Sequence, residues 1–248
     1  MPGYAPPRPL VVLHRGQSRW YSPLLAASLN HHLPLFLYTA EVGSGLEAAL
    51  GGLGPLGLAG AVIEPPTLQA EAAGLLAHLE PEAAQARRVD LVLPERTGCR
   101  GFYQEPLALA RLVRRYALGE KALWLGPFRP ELALGLRGLG QVSLLCESFA
   151  QGEAFLRQLP APQRGVAVVG GAQAEAAARH ADLLIYAGGP LPLFLLQPYH
   201  RLLALQAAPA EALRHIGEYL PPEEWHRFYL SALLEPLGHA LPPEAFLL

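Results

Sequence analysis

Short apolar runs alternate with helical segments from one end of this chain to the other. Leu10–His14, Pro34–Thr39, Gly60–Glu64 and Val89–Leu93 are rich in Val, Leu and Ile and bounded by turn residues, so each is predicted as a strand. The helices between them have readable starts. Ser22-Pro23 reads as an N-cap followed by proline at the first helical position, where its missing N–H costs nothing. Ser44 with Glu47 three residues on has the spacing of a capping box, and Ala70–Leu79 is helical by composition. A second series follows, with helices at Pro106–Leu118, Pro130–Leu136 and Ala172–Arg179. Its strands are predicted at Ala122–Leu125, Val142–Leu145, Val166–Val169, Asp182–Ala187 and Arg201–Leu205, with a capping box at Ser148 and Gln151. The tail, Pro222–Leu234, is predicted as a long helix with Trp225, Phe228 and Leu233 on one side.

Strict alternation of strand and helix implies parallel sheets covered on both faces, an α/β architecture. Four strands fall in the first series and about five in the second, with the joint near residues 100–108. A chain of 248 residues divides readily into two such domains, and no repeat of about 20–50 residues suggests a solenoid. In an α/β protein of two domains the default pocket is the crevice between them, at the carboxyl ends of the strands.

Composition narrows the function classes. Apolar residues make up 51%, charged residues 16%, and the formal net charge is -2, which offers no basic field to nucleic acid and no polybasic patch to a membrane. The longest apolar run, Leu183–Tyr199, is broken by Gly188, Gly189, Pro190, Pro192 and Pro198 and reads as a strand entering a loop. Cys99 and Cys146 match no metal-ligand spacing and read as reduced thiols of a cytoplasmic protein. Lys121 is the only lysine, Asn30 the only asparagine, and Asp90 and Asp182 the only aspartates, a bias that suits a high-temperature or GC-rich source. Any mechanism needing those residue types has few places to find them.

Several strings, in this order of elements, resemble the shikimate dehydrogenase family. Trp20-Tyr21-Ser22-Pro23 is similar to its Ser-x-Ser-Pro substrate turn, and Gly60–Leu68 to its Gly-x-Asn-Val-Thr-x-Pro-x-Lys segment. Gly101–Glu105 falls where the family has Gly-Asp-Asn-Thr-Asp, and Asp182–Leu193 resembles the strand and Pro-rich loop beside its nicotinamide. The resemblance covers nearly the whole chain. It implies a mostly parallel substrate-type domain at residues 1–105, a Rossmann-like doubly wound domain at 106–219, and a C-terminal helix, within 220–248, returning to the first domain.

Carried over position by position, the family's chemistry is largely missing. The catalytic lysine position reads Leu68 and the aspartate position Glu105; Lys121 opens a strand of the second domain and is no substitute. The asparagine ligands fall on Val62 and Asp90, and the first substrate serine on Trp20, so Ser22 is the serine that matches. The Gly-Ala-Gly-Gly-Ala cofactor turn reads Gly126-Pro127-Phe128-Arg129-Pro130, with two prolines removing N–H donors and a ring where phosphates would pass. The arginine that takes the 2′-phosphate of NADP is replaced by Glu147 of Cys146-Glu147-Ser148, which could bond a free ribose and would repel a phosphate. NAD or NADP is implied by the family and disfavoured by these residues.

The expected substrate-side candidates are therefore Ser22, Tyr21, Asp90 and His226, and the cofactor-side candidates Gly126, Glu147 and Tyr186. Glu64 and Glu105 are candidate acid/base groups at strand ends; either they share a proton, or each pairs with an arginine such as Arg19 or Arg100. Asp90 reads as a surface or capping residue and His226 as a helical surface histidine unless they contact ligand. His31-His32 has no acidic third ligand, so no metal is expected. Trp20, Tyr21, Phe102, Tyr103 and Tyr186 suggest a crevice filled or reshaped by rings. The leading expectation is a protein of this fold without ordinary shikimate dehydrogenase activity, binding a small ligand or protein partner at the cleft. The alternatives are an active NAD(P)-dependent oxidoreductase using Glu105, and a structural or regulatory subunit, a homodimer through its first domain, that needs no ligand.

Overall fold

The computed structural model describes residues 6–248, and the chain splits into two compact units. One comprises Met1–Gln104 with Tyr229–Leu248, the other Glu105–Phe228.

The first unit runs β1 (Arg8–His14), α1 (Tyr21–Asn30), β2 (Leu35–Glu41), α2 (Leu46–Gly52), β3 (Gly60–Ile63) and α3 (Pro66–Leu75). It continues with β4 (His78–Leu79), α4 (Pro81–Ala86), β5 (Leu91–Glu95) and β6 (Gly98–Phe102). These make a six-stranded sheet in the order β2-β1-β3-β5-β6-β4. Strands β1, β2 and β3 are parallel, whereas β5 runs antiparallel to both β3 and β6. The β5–β6 hairpin departs from strict β/α alternation. Arg96-Thr97, followed by Gly98 at a φ of +134°, is the turn that makes it. The predicted helix Ala70–Leu79 instead starts at Pro66, with proline in its first turn, and His78–Leu79 is a short strand. Ser44 does not cap α2, whose N-cap is Gly45.

The second unit runs α5 (Glu105–Tyr116), β7 (Lys121–Leu125), a 3-10 helix (Pro130–Leu136), β8 (Gln141–Leu145), α6 (Phe149–Leu156) and β9 (Arg164–Val168). Then come α7 (Gly171–Arg179), β10 (Leu183–Tyr186), β11 (Arg201–Ala204), β12 (Glu218–Leu220) and α8 (Pro222–Leu234). The sheet order is β12-β11-β10-β7-β8-β9, with every pairing parallel. That is the strand order of a doubly wound Rossmann sheet, with its switch point between β7 and β10. The central strands are buried on both faces, all of Leu183–Tyr186 included, which is why they read as continuous apolar runs. Helix α5 has Glu105 in its first turn and Arg114 and Arg115 in its last, charges that complement the helix dipole. Ser148 sits at the N-cap of α6 as predicted but makes no side-chain capping bond. Trp225 and Phe228 on α8 are buried, and the division between the units falls inside this helix, at Phe228/Tyr229. Among the described residues no helix is long and apolar enough to cross a membrane.

Candidate functional site

In an open α/β sheet, ligands bind beyond the carboxyl ends of the strands where the strand order reverses. In the first unit that point lies between β1 and β3, and it is organised around Glu64. The carboxylate is buried and accepts three hydrogen bonds from the loop after β1: Ser18 Oγ at 3.0 Å, the Arg19 N–H at 2.8 Å and the Trp20 N–H at 3.0 Å. Burial pushes the Glu64 carboxyl above the usual carboxylate range, against the opposing pull of the Arg19 and Trp20 N–H groups, the Ser18 hydroxyl and His14. Glu64 thus binds the Arg19 backbone and not its guanidinium, which lies over the Trp20 ring at 4.6 Å. Ser18 also accepts the Tyr21 N–H at 3.1 Å. This hydroxyl does the work expected of Ser22, because α1 starts two residues earlier than predicted and leaves Ser22 exposed within its first turn. Sequence reading missed Ser18, although a serine three residues before a helix start is a signal of this kind.

Tyr21 beside it is half-buried, while Trp20 is buried and packs on Tyr229 with ring centroids 5.4 Å apart. Above the same strand ends, Arg15 bonds the Val42 and Gly43 carbonyls and pairs with Glu71 at 2.6 Å. Leu68 is fully buried in a core cluster that includes Leu13, Ile63, Ala72 and Val92. Asp90 is fully buried too, which corrects its reading as a surface residue: its Oδ2 accepts the Gln104 N–H at 2.8 Å and ties the β6 exit to β5. Arg100 pairs with Glu80 and Glu95, within reach across the β6 edge and the hairpin, and not with Glu64 or Glu105.

In the second unit the switch point is the Gly126–Arg129 turn against the Tyr186–Gly189 turn. Gly126 has a φ of +98°, and a Cβ there would lie 2.1 Å from the Gly188 carbonyl oxygen, so the two turns meet backbone to backbone. The β7 turn is fastened by rings. Trp124 Nε1 donates to the Pro127 carbonyl at 3.1 Å, Phe128 stacks on Phe155 at 5.6 Å, and Phe155 packs on Trp124 at 5.7 Å. Tyr186 is buried, and its hydroxyl donates to the Gly189 carbonyl at 2.5 Å, closing the β10 turn on itself.

A dinucleotide pyrophosphate takes free backbone N–H groups and a positive helix N-terminus from the turn after the first strand. Here the element that follows is a 3-10 helix that begins with Pro130, which has no N–H, and Glu131, which is anionic. Arg129, the one cation of the turn, pairs with Glu105 and, at 3.1 Å, with Glu131. These residues do not fit a pyrophosphate. For Glu105 the Arg129 pair corresponds to the second of the two alternatives, pairing with an arginine, though the partner is neither Arg19 nor Arg100. Glu147 is exposed just beyond β8. His226 is buried in α8, correcting its reading as a surface histidine: one turn of helix carries Trp225, His226 and Phe228 inward together. Cys99 and Cys146 are free thiols, both pushed upward by burial and a nearby glutamate. Among the described residues no group of three or more His, Cys, Asp or Glu side chains could hold a metal ion.

The fold defines a class: two α/β units in one chain, the second with the strand order of a doubly wound sheet. No family profile and no curated protein matches the sequence. Solved structures do. Shikimate dehydrogenase of Mycobacterium tuberculosis matches with a TM-score of 0.74 at 19% identity, covering 96% of this chain and 97% of that one. The enzyme of Thermus thermophilus, solved with NADP(H) and shikimate, matches at 0.71 and 20% identity over 96% of each chain. A 5-ketofructose reductase of Gluconobacter matches at 0.79 and 13% identity, over 98% of this chain and 97% of that one. This chain has the fold of the shikimate dehydrogenases.

Proposed function

We propose that this protein keeps the shikimate dehydrogenase fold without ordinary shikimate dehydrogenase activity, and binds a small ligand or a partner protein in the cytoplasm without transferring a hydride. One observation carries the reading. Leu68, which the resemblance equates with the catalytic lysine, is a fully buried core residue that can neither give nor take a proton. Loss of a general acid/base removes about 10²–10⁴ in rate. The turn after β7 supports it, since Pro127, Phe128, Pro130 and Glu131 replace what NAD or NADP would need. Glu105, the acid/base of an active alternative, is held by Arg129.

Calorimetric titration of the whole chain with NADP and with NAD tests this. No saturable heat at millimolar dinucleotide is the expected outcome. Micromolar binding of either one, with matching protection against thermal unfolding, would reverse it. A second reading, a dimeric regulatory subunit, draws on the exposed Leu29 (65%) and Phe36 (63%) near edge strand β2. Light scattering decides it: a dimer that Phe36→Glu dissociates supports it, and a monomer at all concentrations rejects it.

A further inference from the structure

Away from the strand ends discussed above, the second unit has a groove of about 560 Å³ that runs from the amino ends of β7 and β8 across β9 and along α7. Its size is that of a small-molecule site, commonly about 300–1,000 Å³. The groove exists because α7 meets the sheet with alanines. Ala174 and Ala178 are buried and Ala177 packs beside them, so the helix meets the sheet through small side chains. Strand β9 is the sheet edge, and its Val166 remains 54% exposed, as does Phe149 at 59% where α6 begins.

The groove carries one formal positive charge and several neutral groups that can donate hydrogen bonds. Lys121, the only lysine of the chain, stands exposed at its end, and no ion pair among the described residues includes it. The adjacent Asp182 carboxylate accepts the Lys121 backbone N–H at 3.1 Å instead. Ser143 Oγ accepts the Val166 N–H at 3.3 Å and keeps its own O–H to give, and the Gln141 and Gln173 amides add further donors. His180 donates through Nδ1 to the Ala176 carbonyl at 2.7 Å. Among the described residues no carboxylate lines the groove.

We propose that this groove binds an amphipathic monocarboxylate: the carboxylate takes the Lys121 ammonium, and the apolar body lies against Val166, Ala177 and Phe149. One ammonium matches one negative charge, and the apolar walls exclude a small hydrophilic anion. The register shift between Val142 and Leu144 in the β8–β9 pairing disrupts the edge that another chain would extend, which favours a small molecule over an added strand.

The test uses the full chain with dodecanoate below its micelle concentration. Reductive carbon-13 methylation labels the one lysine and the α-amino group and keeps their charges; the resonance that Lys121→Gln removes is the lysine's, and it reports the site directly. The proposal expects that resonance to shift saturably with one dodecanoate per chain. Lys121→Gln should weaken dodecanoate about fivefold or more while leaving the weaker binding of dodecanol unchanged. Val166→Glu should weaken both, with the circular dichroism of the native chain retained. Equal affinity of dodecanoate for the native chain and Lys121→Gln would overturn it. So would equal binding of dodecyltrimethylammonium, or a native dimer that Val166→Glu dissociates, since a second copy would then cover the groove.

Discussion

Placing a lysine where the resemblance asks for one, Leu68→Lys, separates a position that faces a site from one that belongs to the core. Leu68 is fully buried, and the buried residues clustered with it, Leu13, Ile63, Ala72 and Val92 among them, are apolar apart from the Tyr103 hydroxyl. Loss of the leucine's burial costs about 1.5–3 kcal/mol. A buried ammonium adds several kcal/mol more, or loses its proton at a comparable cost. Together these exceed about 4 kcal/mol, a large share of the roughly 5–15 kcal/mol that holds a domain folded. Leu68→Met, which preserves volume and polarity, should cost less than about 1.5 kcal/mol. Urea unfolding of the three proteins measures this, because a loss of about 4 kcal/mol moves the midpoint by more than about 1 M. If Leu68→Lys unfolds within about 1 kcal/mol of Leu68→Met, the side chain has reached water, and the position faces an open site after all.

Three further substitutions probe the two switch points. Glu64→Gln should flatten the dependence of stability on pH. Burial raises the Glu64 carboxyl, so its contribution is full below the ordinary carboxylate pKa and is lost as pH rises through its own raised value. The difference in unfolding free energy between wild type and Glu64→Gln should therefore shift against wild type as pH rises across that window; a shift in its favour rejects the assignment. Gly126→Ala should lower stability by about 2 kcal/mol or more in thermal unfolding, because its φ is +98° and the new methyl would meet the Gly188 carbonyl; an unchanged midpoint would show that the two turns are not in contact. Phe128→Ala should cost about 1–2 kcal/mol through the lost stack on Phe155 and gain no NADP affinity. Appearance of tight NADP binding in that variant would make the ring a plug over an intact site.

The parts of the fold that strand and helix periodicity dictate were legible: the parallel order of β1 to β3 and the all-parallel second sheet follow from alternating apolar runs and helices. The β5–β6 hairpin was not, because Val89–Leu93 looks like one more buried strand and the Arg96–Gly98 turn like an ordinary loop. Strands of two or three residues, such as β4 and β12, carry too few positions to show a period. At the sites, residue identity was legible and partner identity was not. That Glu105 would meet an arginine was one of two open alternatives, and its partner stands 24 residues away in sequence and comes close through the packing of α5 against the 3-10 helix. The loop N–H groups that hold Glu64 were not foreseen, because backbone donors leave no mark in composition. Asp90 reads as a surface or capping residue and His226 as a surface histidine, since burial of a polar side chain depends on tertiary packing that periodicity does not encode.

Turnover of shikimate with NADP and with NAD, followed by nicotinamide absorbance on the full chain, tests the central claim most directly. With a buried leucine where the resemblance places the catalytic lysine, and prolines at 127 and 130 in the β7 turn, no turnover above the uncatalysed background is expected. A rate within about tenfold of an ordinary enzyme, at 1–10³ per second, would contradict the account and require a proton carrier other than Leu68.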